Sequence, residues 1–266
     1  MNRSFRAFLV VVAVIQAVFG VGFALRIPAV TQLWLAILPE ATPLSLSFVG
    51  SIFAAAAAST LWCIVSGEDG ALAGIGLDYL VILVPVTVFL FQLAAGGPLL
   101  IFAVLCILGA IFGAILFYFA QKIPIRDARP QPRLVRFAFG FFIVALLIVG
   151  GALVLKTPNV LPWPLSVNES VIYGWMFLGA AAYFVYALVR PSWGNSGGQL
   201  AGFLAYDVVL AFPFLARFGS EIPPQFLVGH LLYTAVVLFS GALAIYYLFI
   251  NPETRLTGRR VVRVAA

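Results

Sequence analysis

Apolar residues run along this chain in long stretches, broken only by short polar interruptions. The stretches fall at about 5–25, 47–65, 72–94, 99–121, 135–155, 170–189, 199–217 and 226–250. Each is close to the ~20 residues an α-helix needs to cross the hydrocarbon core of a bilayer. Inside that core every backbone N–H and C=O must be paired within the segment, which helices achieve alone. A barrel would instead show short segments of alternating polarity, and none is seen. The pattern predicts an all-α integral membrane protein with eight transmembrane helices. The longest pieces outside the stretches, 26–46, 122–134 and 251–266, leave little room for a soluble domain. The first stretch follows Arg3 and Arg6 as a signal peptide would. It is too long for a signal sequence, however, and reaches Arg26 without a small-residue cleavage pattern, so it is expected to stay as a helix.

The pattern repeats. LAGIGLDYLVILVP at 72–85 returns as LAGFLAYDVVLAFP at 200–213, an offset of 128. ALRIPAV at 24–30 corresponds to VLKTPNV at 154–160, Trp34 to Trp163, ATPLS at 41–45 to PWPLS at 162–166, and Gly50 to Gly174. Gly113, Ala114 and Tyr118 answer Gly241, Ala242 and Tyr246 at the same offset of 128. Several matches in one order point to duplication. The expected organisation is a first four-helix repeat over 1–125, a second over 126–254, and a basic tail, 255–266. An even number of crossings per copy makes the repeats parallel, related by a pseudo-two-fold axis along the membrane normal.

Composition agrees: 64% of the 266 residues are hydrophobic and 9% charged, against roughly 25% charged in a soluble domain. Charge supplies orientation. With the N-terminus inside, the inner pieces carry Arg3, Arg6, Lys122, Arg126, Arg129, Arg133, Arg136, Arg190, Arg255, Arg259, Arg260 and Arg263. The outer pieces carry Arg26, Lys156 and Arg217. The positive-inside rule then predicts a multi-pass protein of the inner or plasma membrane with both termini cytoplasmic. The net charge of +6 reads as topology and attraction to anionic lipids at the cytoplasmic face, with no nucleic-acid partner. Cys63 and Cys106 lack metal or disulfide spacing and are expected to act as small hydrophobes.

Chemistry-bearing residues inside the stretches are few. Asp78 and Asp207 each fall about seven residues into a predicted helix, ~10 Å deep at 1.5 Å per residue. A charge in hydrocarbon costs about 2.5–3.5 kcal/mol, so such residues are expected to face the bundle interior. They could share a proton, bind a cation or line a path. Alternatively Tyr79 and Tyr206 beside them could donate to carboxyls on facing helices and make each Asp a helix tie. Pro85 and Pro213 each free a carbonyl four residues back, at Val81 and Val209, and are expected to kink their helices. His230, the single histidine, falls near the outer face; it is a candidate proton acceptor or substrate contact, or an interfacial histidine bonded to a neighbour. VTQLWLAIL at 30–38 suits a short helix on the membrane surface, a lid or an anchor, with Trp34 and Trp163 in the aromatic belt. SGEDG at 66–70 reads as a turn.

No nucleotide loop, HExxH or GxSxG motif occurs, so no enzymatic activity, cofactor or metal is expected. Two functional readings stand. One is a transporter or channel for a small solute or ion, with a path between the repeats. The other is a non-catalytic structural or accessory subunit of a membrane complex. Gly109 and Gly113 at GxxxG spacing, and AAAAAS at 54–59, suit either close packing of the chain's own helices or a homo-oligomer.

Overall fold

The computed structural model describes residues 3–93 and 96–255; most of the basic tail lies outside the described residues. Eight long apolar helices make this a multi-pass membrane protein in contact with lipid. In chain order the helices are α1 (Arg3–Ala24), α2 (Pro28–Leu35), α3 (Pro43–Ser66), α4 (Leu72–Leu93) and α5 (Gly97–Ala120). They continue with α6 (Arg133–Val154), α7 (Val167–Val189), α8 (Trp193–Ala216) and α9 (Pro224–Ile245). All but α2 are long enough to cross a bilayer, and no strand occurs among the described residues.

The ends are set by local chemistry. Pro43 opens α3, and the Thr42 hydroxyl accepts the Ser45 N–H at 3.2 Å. Gly67 closes that helix in the left-handed region, at φ 75°. Ser166 and Glu169 form a reciprocal capping box at the start of α7. Helices α1 and α6 end alike. Arg26 (φ 54°) and Lys156 (φ 61°) both adopt the left-handed conformation. The next residues, Ile27 and Thr157, donate back to Gly22 O (2.8 Å) and Ala152 O (2.9 Å). A proline follows each in turn.

Packing sorts the helices into two layers. Helices α3, α4, α7 and α8 form the interior, with α3 lying along α8 and α4 along α7. Each is backed by an outer helix: α1 on α3, α5 on α4, α6 on α7 and α9 on α8. Exposed side chains such as Val18, Ile101, Phe137 and Leu232 cover the outer helices and face lipid. Close backbone approach needs glycine at the α1–α3 and α6–α7 crossings. A Cβ on Gly50 would stand 3.0 Å from Gly20 O, and one on Gly174 2.8 Å from Gly150 O. Gly113 is pressed in the same way against Tyr79 and Gly76 of α4, and Gly109 against Leu83. The GxxxG face therefore packs the chain's own bundle.

Two expectations change. Trp34 and Trp163 are 4% and 2% exposed, not in a lipid-facing belt. The Trp34 ring stacks on Tyr173 of α7 at 6.5 Å, and Trp163 Nε1 donates to Ser45 Oγ of α3 at 3.1 Å. The short α2 therefore serves to push Trp34 into the bundle as well as to cover it. The turn at 66–70 also does more than connect. Glu68 is buried and accepts the N–H groups of Arg126 (2.8 Å) and Asp127 (2.9 Å), so it holds the 121–132 linker.

Candidate functional site

The core consists of two apolar clusters stacked along the helices. On α4, Ile75 belongs to one and Ile82 packs on the other; on α8, Leu204 and Leu210 divide the same way. Asp78 and Asp207 fall at this junction. So do Tyr79, which accepts from Gln16 Nε2 at 2.5 Å, and Ser240, whose hydroxyl is 3.0 Å from Asp207 Oδ1. The result is a thin polar layer inside an otherwise apolar bundle.

The two carboxyls occupy different places in it. Asp78 lies on the α4–α7 seam, where its Oδ1 would be 2.6 Å from a Cβ on Gly179. That oxygen is buried and has no hydrogen-bond partner, and no bond to the side chain occurs among the described residues. Asp207 is 4% exposed and faces α9, against Gly241 and Ser240; its Oδ2 is buried without a partner. Tyr79 stands against Gly113 on α5 as Asp207 stands against Gly241 on α9. The residue placed like Asp207, against a glycine of the following helix, is therefore Tyr79 and not Asp78. Tyr206 points toward α3, edge-on to Phe48 at 6.3 Å, and its hydroxyl bonds that of Tyr233. The one-residue reversal of the Asp–Tyr pair puts one carboxyl between the halves and the other within a helix pair. Among the described residues neither tyrosine bonds a carboxyl.

Depth differs from the sequence reading too. Helix α8 begins at Trp193, so Asp207 lies about 21 Å along it, whereas Asp78 lies about 9 Å into α4. The added turns, Trp193 to Gln199, are buried throughout. They carry polar groups inward: Ser59 Oγ donates to Gly198 O at 2.9 Å, and Asn195 Nδ2 to Arg190 O at 3.0 Å. Ser59, Asn195 and Gln199 were not among the candidate residues; the small, polar WGNSGGQ run was the signal for the last two, and the serine ending AAAAAS for the first.

His230 is fully buried, apart from the aspartates. Its Nε2 lies 3.0 Å from Phe214 O; a carbonyl only accepts, so Nε2 carries the proton of that bond. Its ring stacks on Phe214 at 5.1 Å, and Nδ1 is unpartnered. Pro85 and Pro213 lie inside α4 and α8, which run on through them. The described residues include no cluster of His, Cys, Asp and Glu able to hold a metal ion. Cys63 and Cys106 are free and buried. No protein-family model, curated protein or solved structure matches this chain.

Proposed function

We propose that the protein carries a small solute or ion across the membrane along the α4–α7 seam, with Asp78 as the group that takes up a proton or cation. The observation that carries this reading is the unpartnered, buried Asp78 oxygen between the two halves of the molecule. An unmet carboxylate oxygen inside a membrane protein is costly, and such acids mark ion or proton paths. The half-to-half seam is where a duplicated transporter would open. Duplication is part of the proposal: 1–125 and 126–254 are parallel repeats. The helix pairings support it. So do the matched left-handed ends at Arg26 and Lys156 and the glycine contacts Gly20–Gly50 and Gly150–Gly174. Orientation with both termini cytoplasmic rests on the charge asymmetry.

A second reading, an accessory subunit of a membrane assembly, is favoured by the tightness of the inner seams. A Cβ on Gly197 would meet the Trp62 ring at 2.1 Å, and one on Gly179 would meet Ile82 at 2.3 Å. Proteoliposomes separate the two. With a valinomycin-clamped potassium potential and an internal pH dye, wild-type protein should acidify the lumen faster than protein-free vesicles. Asp78→Asn should reduce the rate at least about tenfold with the protein still folded. Asp207→Asn should keep most of the rate, because Ser240 can donate equally to an amide oxygen. If proton, sodium and potassium fluxes all equal those of empty vesicles, the transport reading fails and the accessory reading stands.

A further inference from the structure

Where α6 begins, a cavity of about 850 Å³ opens on the face that carries the basic loops. It shares no lining residue with the Asp78 seam, and its chemistry is independent of transport. Its wall includes Gln131, Arg133, Arg136, Trp193 and Tyr247, together with the acidic Glu253. Arg129 also lines it but is engaged, through Asp127 at 2.6 Å and the Glu253 carbonyl. The adjacent Asp127 carboxylate raises the Arg129 guanidinium further above its ordinary value.

Three features of this cavity ask for an anion. The first is the start of α6. Its N-cap is Pro132, with no side-chain acceptor, and its first turn holds no acidic residue. The leading N–H groups of a helix so capped have nothing to bond, and its dipole presents positive charge there. The second is the presence of Arg133 and Arg136 in that same turn. Cations at a helix N-terminus are on the unfavourable end of the dipole unless an anion joins them. Among the described residues neither has an ion-pair partner. The third is Gln131. It is 4% exposed, its main chain is tied to Pro191 O at 3.2 Å, and both Nε2 and Oε1 are buried without partners. Topology explains arginines in this loop; it does not explain a buried, unpaired amide in the wall beside them.

We infer that this cavity binds a phosphate ester, the headgroup phosphate of an anionic phospholipid. Arg133, Arg136 and the free N–H groups of α6 would face the phosphate oxygens, and the Gln131 amide would donate beside them. Lipid is the source because Leu134, between the two arginines, and Phe137, just beyond them, are 51% and 77% exposed and form a track for acyl chains. The cavity thus lies where a headgroup meets the apolar girdle.

The test uses the purified full-length protein, delipidated in neutral detergent and read by native mass spectrometry. Phosphatidylglycerol, phosphatidylcholine and glycerol 1-phosphate are titrated separately and in competition. One phosphatidylglycerol should bind at least about tenfold more tightly than phosphatidylcholine. The double variant Arg133→Gln/Arg136→Gln should lose that preference, and Arg26→Gln, on the opposite face, should keep it. Gln131→Leu should weaken binding several-fold; if Gln131 merely fills space, affinity stays unchanged. Equal affinity for both lipids, or an undiminished preference in the double variant, overturns the site. Full displacement of the lipid by glycerol 1-phosphate at matched concentration would overturn the lipid assignment in favour of a soluble phosphate compound. If the double variant does not fold, Arg136→Gln alone and the wild-type competition decide the question.

Discussion

At Gly179 a single missing side chain keeps the α4–α7 seam closed and sets the surroundings of Asp78. A Cβ there would approach Ile82 to 2.3 Å and Asp78 Oδ1 to 2.6 Å, well inside contact distance. A Cβ on Gly151, one helix away, would have nothing within 4 Å. Gly179→Leu should therefore lower the yield of folded protein severely, whereas Gly151→Ala should raise thermal stability slightly by improving helix propensity, by up to about 1 kcal/mol. Detergent melting curves read by size-exclusion chromatography check both. Equal behaviour of the two variants would mean that the seam is looser than described. The aspartates themselves were legible in the sequence because charge inside an apolar run is rare. Their separation was not. The reversal of Asp78–Tyr79 into Tyr206–Asp207 turns the second carboxyl about 100° round its helix. Which neighbour each then meets depends on packing between distant segments.

At the scale of elements, long hydrophobic runs gave all eight spans because a lipid solvent leaves few alternatives. The start of α8 lies six residues ahead of the apolar run that predicts it. WGNSGGQ is rich in glycine and polar residues and has poor intrinsic helix propensity. Burial against Trp62, Tyr183 and Cys63 makes it helical anyway, since the glycines let those side chains approach. The Gly67–Ala71 connection hides its role for the opposite reason: its composition is that of a turn, and it is one, but Glu68 turns inward. Glu68→Leu should orphan the Arg126 and Asp127 N–H groups, at about 1–3 kcal/mol each. Limited proteolysis should then cut within 121–132 much faster than in wild type. Unchanged protection would show that the linker is held by its contacts with α8 alone, such as Gly194 N to Asp127 O at 3.0 Å.

For the whole molecule, the arrangement is an inner set of four helices, backed one-to-one by four outer helices, with a polar layer between two apolar clusters. The duplication reading makes the halves parallel, and topology is its simplest consequence. Reporter fusions after residues 68, 128, 191 and 254 should report cytoplasm, and fusions near 40, 96, 162 and 221 the other side. An external signal at 128 would reverse the orientation, because that loop holds five of the twelve inner basic residues. The central claim, that the α4–α7 seam opens to let water or ions reach Asp78, is tested most directly by solvent access. Asp78→Cys, in a Cys63→Ala/Cys106→Ala background, is exposed in sealed membranes to a small, charged, membrane-impermeant thiol reagent. The account predicts labelling at position 78 well above that of a lipid-facing control such as Phe137→Cys. Protection at 78 equal to the lipid-facing control would contradict it and leave Asp78 in a dry helix seam.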